Sequence, residues 1–508
     1  MKRRIFLRSG AIAAGLFGSL KPFPLFATTK ENSQPSSPTP GQNQTQSGVS
    51  QKDIRSADYL TRVRAEKYLP GQPIFAQTKL NSALKISAMS LEERRKRNIV
   101  PNRGFCCLEP GGEGLSSGNG TVNIEVGGNP FTEQIPFSHE SIFTPRKKSL
   151  EAPNIAHIFP QVRHMMLEGK YKDAAMLAYN EWQKKPVTRG MGGFGFARFT
   201  MLLELPKSES VTNYLRTVDF ESTEVKVLWT DERGDWVRRT FVSRPDHVVV
   251  QWLIAPGGQS VNVRIKMSEA AARGGRGMQS PPGIVGGGGA QGGSGSTSPT
   301  QTDFNEQRLI IKGRIDTSVD NRGFANITRV VRDGGSARMD GDTLAVENAS
   351  SVMLLTRIEY LPDYSEDNVE AVRQSLEALT PDYKSLLERA RKVQSEMLNR
   401  VTVDFGDSSK YGLSAEELLS DQRSSSGYSG AFLKTFFEMC RYWFIITTGK
   451  YRSVTALTNV NTNLQVAPIS IGNYIEGEMA YFDWVESLIP DYRTNAKNIF
   501  GMRGAHYP

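Results

Sequence analysis

From residue 121 to residue 360 the chain keeps returning to short runs of β-branched and alternating apolar residues. This feature narrows its fold more than any other. The series opens with 121–126 (TVNIEV), 224–230 (EVKVLWT), 248–254 (VVVQWLI) and 261–267 (VNVRIKM), and continues at 308–312, 325–332, 343–347 and 351–360. Side chains branched at Cβ pack well on a pleated surface, and alternation gives each run one buried and one exposed face. Turn clusters such as Glu232-Arg233-Gly234-Asp235 and Asp333-Gly334-Gly335 separate the runs. So many short strands at this spacing predict a large antiparallel β-sandwich. One helix is expected inside the series, over 159–182. There Val162, Met165, Met166, Tyr171, Ala174, Ala175 and Leu177 form a stripe around Gly169.

After residue 361 the period changes from two to 3.6. Val369, Val372, Leu376 and Leu379 share one face over 368–379. Thr380-Pro381-Asp382 predicts a helix start with proline at the first position, and the helix carries Tyr383, Leu386, Leu387, Ala390, Val393 and Met397. Ser414 and Glu417 have capping-box spacing. Residues 431–447 (AFLKTFFEMCRYWFIIT) are apolar nearly all round, as in a buried helix, and 473–489 is helical again.

At 508 residues the chain is too long for one core. Its N-terminus, MKRRIFLRSGAIAAGLFGSLKPFPLFA, pairs Arg3-Arg4 with Phe6-Leu7 and ends on a small residue, Ala27. This resembles a twin-arginine export signal, with an ordinary secretory signal as the alternative. The apolar stretch 11–20 is too short for a span, so stable membrane insertion is not expected. Residues 28–57 are mostly polar and read as a disordered linker; 271–299 is a Gly-rich flexible loop. The expected organisation is a signal over 1–27, a linker over 28–57, the sandwich over 58–360, a helical linker over 361–405, and the start of a helical domain over 406–508.

Several function classes fall away. The net charge of +9 is carried partly by the signal and by the Arg94–Arg97 run (RRKR), with basic and acidic residues otherwise mixed, which argues against nucleic-acid binding. Three cysteines, Cys106, Cys107 and Cys440, make no disulfide framework. Gly190-Met-Gly192-Gly-Phe-Gly195 spells GxGxxG but follows no clear strand, so the dinucleotide reading is discarded. His157 and His164 alone make no zinc site. Residues 457–470 (LTNVNTNLQVAPIS) place asparagines at 459, 461 and 463, which is either a polar loop or a pair of carboxamides aimed at a ligand.

The order of several short motifs resembles glycoside hydrolase family 95, the α-L-fucosidase family that also includes α-galactosidases. The motifs are Ser117-Gly118-Asn119-Gly120, Val126-Gly127-Gly128, and 133–140 (EQIPFSHE). Arg163 to Leu167, Glu168 to Tyr171 and Asp173-Ala174-Ala175 follow, then Tyr214-Leu215-Arg216, Val218-Asp219-Phe220, 238–246 (RRTFVSRPD), Gly334-Gly335 and 349–355. Further on, 440–446 (CRYWFII) resembles that family's buried first barrel helix.

The resemblance implies a sandwich followed by an (α/α)6 toroid, of which 406–508 would be the truncated start. It implies inverting hydrolysis of α-L-fucosides or α-galactosides in glycans, without a cofactor. Asn461 and Asn463 fall where the family holds and polarises the attacking water, and alternate spacing on an extended segment sends both side chains one way. The pattern departs at Val466-Ala467-Pro468-Ile469, where the family usually reads Met-Asn-Tyr-Trp. The family's general acid and water-positioning aspartate lie in later helices, past Pro508. Glu476, Glu478, Asp483 and Glu486 are at hand, but none matches the acid's motif. Two expectations stand: a glycosidase needing a second chain or further helices to complete the barrel, or a non-catalytic carbohydrate-binding remnant.

Overall fold

A computed structural model describes residues 84–111, 114–142, 152–184, 199–269, 300–315, 321–449 and 468–506. The signal, the linker 28–57, the stretch 271–299, the Gly190–Gly195 run and both Asn461 and Asn463 lie outside the described residues.

Among the described residues, fifteen strands join in one hydrogen-bonded ladder: β1 (Lys85–Ala88), β2 (Gly104–Cys107), β3 (Leu115–Gly118), β4 (Val122–Val126), β5 (Thr132–His139), β6 (Phe199–Glu204), β7 (Ser210–Asp219), β8 (Val225–Asp231), β9 (Gly234–Ser243), β10 (Val248–Ile254), β11 (Val261–Glu269), β12 (Gln301–Asn305), β13 (Arg308–Arg314), β14 (Gly323–Asp340) and β15 (Thr343–Leu361). The described helices are α1 (Leu91–Lys96), α2 (Phe159–Leu167), α3 (Tyr171–Gln183), α4 (Glu366–Glu377), α5 (Tyr383–Asn399), α6 (Ala415–Ser424), α7 (Gly430–Thr447), α8 (Ile475–Ser487) and α9 (Ile489–Phe500). None of them is long and apolar enough to cross a membrane.

The sandwich expectation is corrected in its construction. Two separate sheets are not formed; one large sheet divides and curls. β14 follows β15 along its whole length. The other edge of β15 pairs with β11 through 344–349 and with β10 through 351–356. One leaf (β10-β9-β8-β7) and a second (β11-β6-β5-β4-β3) therefore diverge from a single hairpin. The ladder is antiparallel throughout except for the parallel pair β1–β7.

The cluster Asp333-Gly334-Gly335, expected as a turn, is a bulge inside β14. Both glycines are left-handed (φ 72° and 64°), and the register shifts between Asp333 and Gly334. A side chain at Gly335 would overlap the Glu347 carbonyl. The bend lies opposite the point where β15 changes partner from β11 to β10.

The two leaves close face to face. β3, at the end of the second leaf, touches β7, β8 and β9 of the first. Phe131 meets Trp229 edge-on at 6.5 Å, and Trp229 stacks on Trp236. Polar bridges cross the same gap: Arg238 pairs with Glu133, and Tyr214 Oη donates to the Gly128 carbonyl at 2.8 Å.

On the outer face of the first leaf, Phe241, Val250 and Leu355 pack under Val369 and Leu376 of α4 and Leu386 and Ala390 of α5. These are residues that the 3.6 period had placed inward. Asp382, rather than proline, begins α5: its carboxylate accepts from the Lys384 and Ser385 amides and leaves Pro381 outside the helix. Ser414 and Glu417 form the reciprocal capping box, and Glu417 also receives both terminal nitrogens of buried Arg94 at 2.9 and 2.7 Å.

The single helix expected over 159–182 is two. Gly169 takes φ 76°, and the Lys170 amide closes on the Met165 carbonyl, ending α2 before α3 begins. Its stripe is not a core face: Met166, Tyr171 and Ala175 are exposed, and Ala174 alone of the stripe is fully buried.

Candidate active site

The site is built where α7 ends. An α-helix leaves its last carbonyls without intrahelical partners and gathers partial negative charge there. Three groups from other elements satisfy them here. The Gly120 amide donates to Ile446 O at 2.7 Å, Arg244 Nη2 donates to Ile445 O at 2.6 Å, and Tyr474 Oη donates to Thr448 O at 3.2 Å. One partner comes from the second leaf, one from the first, and one from the residue before α8.

The approach is backbone against backbone. Gly120 has φ 87°, and a Cβ there would overlap the Thr448 carbonyl. A Cβ on Gly449 would overlap the Gly120 carbonyl and lie 2.8 Å from Glu140 Oε2. Asn119 holds the turn: its Oδ1 accepts from the Thr121 and Val122 amides at 3.0 and 2.8 Å, and its Nδ2 donates to Ser243 O at 3.2 Å. Ser117 Oγ accepts from the Val242 amide at 3.0 Å, and Tyr442 of α7 donates to Ser116 O at 2.8 Å. The stretch 117–120 is thus a bracket tying both leaves to the end of α7, from which the chain continues toward Asn461 and Asn463.

Of the 133–140 motif, Glu140 reaches the end of α7, and its neighbour His139 ends β5 opposite Val122. Glu140 is buried, accepts from Thr121 Oγ1 at 3.2 Å and lies beside Gly449. His139 is buried; its Nδ1 accepts from the Ser141 amide at 3.0 Å, while Nε2 has no partner among the described residues. Burial pushes this imidazole down to about 3, so it is neutral at ordinary pH.

Other motif residues assemble elsewhere. Glu133 accepts from the Gly127 and Gly128 amides at 2.9 and 2.8 Å as well as from Arg238, and Arg216 donates to the carbonyls of Gly127 and Gly111. This cluster locks the leaves together and is structural. His157 and His164 sit on the surface beside Glu181 and Glu168.

Of the four carboxylates after the asparagine segment, Glu476 is bound by both terminal nitrogens of Arg400 at 2.8 and 2.7 Å, and that hydrogen bonding holds it below the usual carboxylate range. Glu478 accepts from Ser470 Oγ at 2.7 Å. Asp483 and Glu486 are exposed on α8. Reasoning from sequence quoted Glu140, Arg244 and Gly120 as motif letters without giving them a place. Tyr474 it missed, for lack of any local pattern.

Residues 106–360, half of the chain, match the model of the glycosyl hydrolase family 65 N-terminal domain. No curated protein matches the chain. Among solved structures it is similar to a putative kojibiose phosphorylase from the human microbiome, at 8% identity and TM-score 0.46, covering 78% of this chain and 49% of that one. It is also similar to a family GH92 glycosyl hydrolase, at 10% identity and TM-score 0.31 over 70% of this chain and 42% of the other. A GH92 α-mannosidase from Bacteroides thetaiotaomicron gives 10% and 0.24 over 70% and 40%. The chain spans about half the length, or less, of each of these structures.

Proposed function

The chain belongs to the family of glycosyl hydrolase family 65 N-terminal domains, and from that premise we propose that it carries the water-holding half of a glycoside hydrolase active site. The observation that supports this reading most directly is the contact of Gly120 with the end of α7. It holds the end of α7, which precedes Asn461 and Asn463 in the chain, against the matched domain.

In this reading the enzyme is exported and acts on α-L-fucosides or related α-galactosides in glycans, with inversion. The two carboxamides orient a water on one face of the sugar ring. A carboxamide cannot take up the proton in full, so a carboxylate must share the task, and a carboxylic acid must protonate the leaving oxygen from the opposite face. Glu476 is excluded as that acid by its ion pair with Arg400. The acid comes from helices additional to those described, in the same polypeptide or a second chain, which complete an (α/α)6 toroid begun by α6 and α7.

The test uses 4-nitrophenyl α-L-fucoside and α-galactoside. The 508-residue chain is assayed alone and co-expressed with any polypeptide that its coding region continues into or adjoins. Turnover is expected only in the second case, and Asn463→Ala abolishes it. Turnover that Asn463→Ala leaves unchanged overturns the assignment. A second reading, a non-catalytic carbohydrate-binding protein, is favoured by the ion-paired or exposed state of the carboxylates on α8. It predicts glycan binding without turnover in every combination.

A further inference from the structure

The outer face of the first leaf is only partly roofed by α4 and α5, and the strand register says where the roof stops. Phe241, Val250 and Leu355 are neighbours in one transverse row and lie under the helices. Two residues along each strand, the next row on the same face is Arg239–Trp252–Met353–Val331, and the one beyond ends in Ile254–Ser351–Asp333. These two rows and the first turn of α5 line an open cleft of about 780 Å³.

Its composition is amphipathic. Trp252, Met353, Val331 and Ile254 make the floor, with Leu387 on the helix side. Trp252 is half-buried and tilts against Tyr383 at 4.7 Å between ring centroids. Around this floor stand Arg239, Arg332, Asp333, Asp382 and Lys384. Most of these are already engaged: Arg239 with Glu224, Arg332 with the Gly334 and Gly335 carbonyls, Asp333 with Ser350, and Asp382 with the α5 amides. With Arg239 ion-paired to Glu224, two cations, Arg332 and Lys384, face two anions, Asp333 and Asp382, so the rim offers hydrogen bonds of both kinds and little net charge.

We propose that this cleft binds a neutral glycan chain, at a place separate from the candidate active site. A pyranose has apolar C–H faces and a rim of hydroxyls. It meets the partly exposed indole of Trp252 and the aliphatic Ile254 and Val331 through the faces, and mixed donors and acceptors through the hydroxyls. A charged ligand would need an unbalanced rim, which the cleft lacks. An apolar peptide would leave the polar rim unmatched. The choice of a glycan rests on the glycosidase reading above; the location rests on the register and the cleft alone.

The test is affinity electrophoresis of the full chain in gels containing yeast α-mannan, glycogen or fucosylated xyloglucan. Retardation is expected in at least one, weakened about tenfold in Trp252→Ala. Asp333→Ala/Lys384→Ala changes only exposed rim residues and is expected to weaken it too, so a folding defect at Trp252 does not decide the matter. Asn463→Ala retains full retardation. The proposal is overturned by no retardation in any gel or by equal retardation in the cleft variants. Release by a nonionic detergent and not by soluble oligosaccharide would also overturn it, marking a protein-docking surface. Turnover by the complemented enzyme that Asn463→Ala leaves unchanged, with retardation intact, counts against the active-site reading alone.

Discussion

The amide of Gly120 donates to the carbonyl of Ile446 at 2.7 Å, joining a turn of the sheet domain to the last turn of a helix 326 residues later. The left-handed turn at Gly120 permits this approach, and any side chain there would enter the backbone of Thr448. Gly120→Ala is therefore expected to destabilise the protein by about 2–4 kcal/mol, from backbone strain and displaced helix-end contacts together. Gly258→Ala is the control: φ is 79° but the space around it is open, so about 1 kcal/mol is expected. Urea denaturation of both variants checks the difference.

Removing Glu417 strands a buried charge. Arg94 is almost wholly buried and donates two hydrogen bonds to Glu417, while the same carboxylate closes the α6 capping box. Glu417→Ala is expected to lower stability by about 3–5 kcal/mol, well beyond the roughly 1 kcal/mol of a lost cap. Arg94→Met/Glu417→Ala should recover part of that loss. Equal effects of the single and double variants in denaturant melts would refute the coupling.

His139 gives the fold an acid-sensitive group. Its folded-state value, about 3, lies below the ordinary 6.5, so between these the unfolded chain binds the extra proton. The stabilisation is fully present above pH 6.5 and is lost as pH falls through this window, at about 1.4 kcal/mol per unit once His139 alone differs. Stability measured from pH 7 to 4 should fall less steeply in His139→Gln. Identical slopes would show that the imidazole is not held neutral.

If Asn461 and Asn463 orient the attacking water, their loss should act on the chemical step. In the complemented enzyme, Asn461→Ala and Asn463→Ala are expected to lower kcat by about 10²–10³-fold with KM little changed. A rise in KM at constant kcat would instead make them ligand-binding residues.

Local patterns were legible where a contact spans one turn or one strand. The Ser414–Glu417 cap, the inward face of Val369 and Leu376, and the run 351–360 are set by spacing that the backbone geometry repeats. The same spacing could not tell a turn from a bulge at Gly334-Gly335, because both need left-handed glycines. The ladder supplied by β15 decided for the bulge. Nor could it tell that the stripe around Gly169 faces outward, since apolar periodicity names a face without naming what covers it.

The sequence by itself determined the change from a strand-rich to a helical region, the Ser414–Glu417 cap, and the set of motif residues from Ser117 to Asp246. Only the tertiary structure sorted that set. It sent Glu133, Arg216 and Arg238 to a buried lock between the leaves, and Gly120, Glu140 and Arg244 to the end of α7. The physical reason is range. Propensity and periodicity act over a few residues, whereas a helix end finds its partners among groups hundreds of residues away, and those are chosen by how the divided sheet closes.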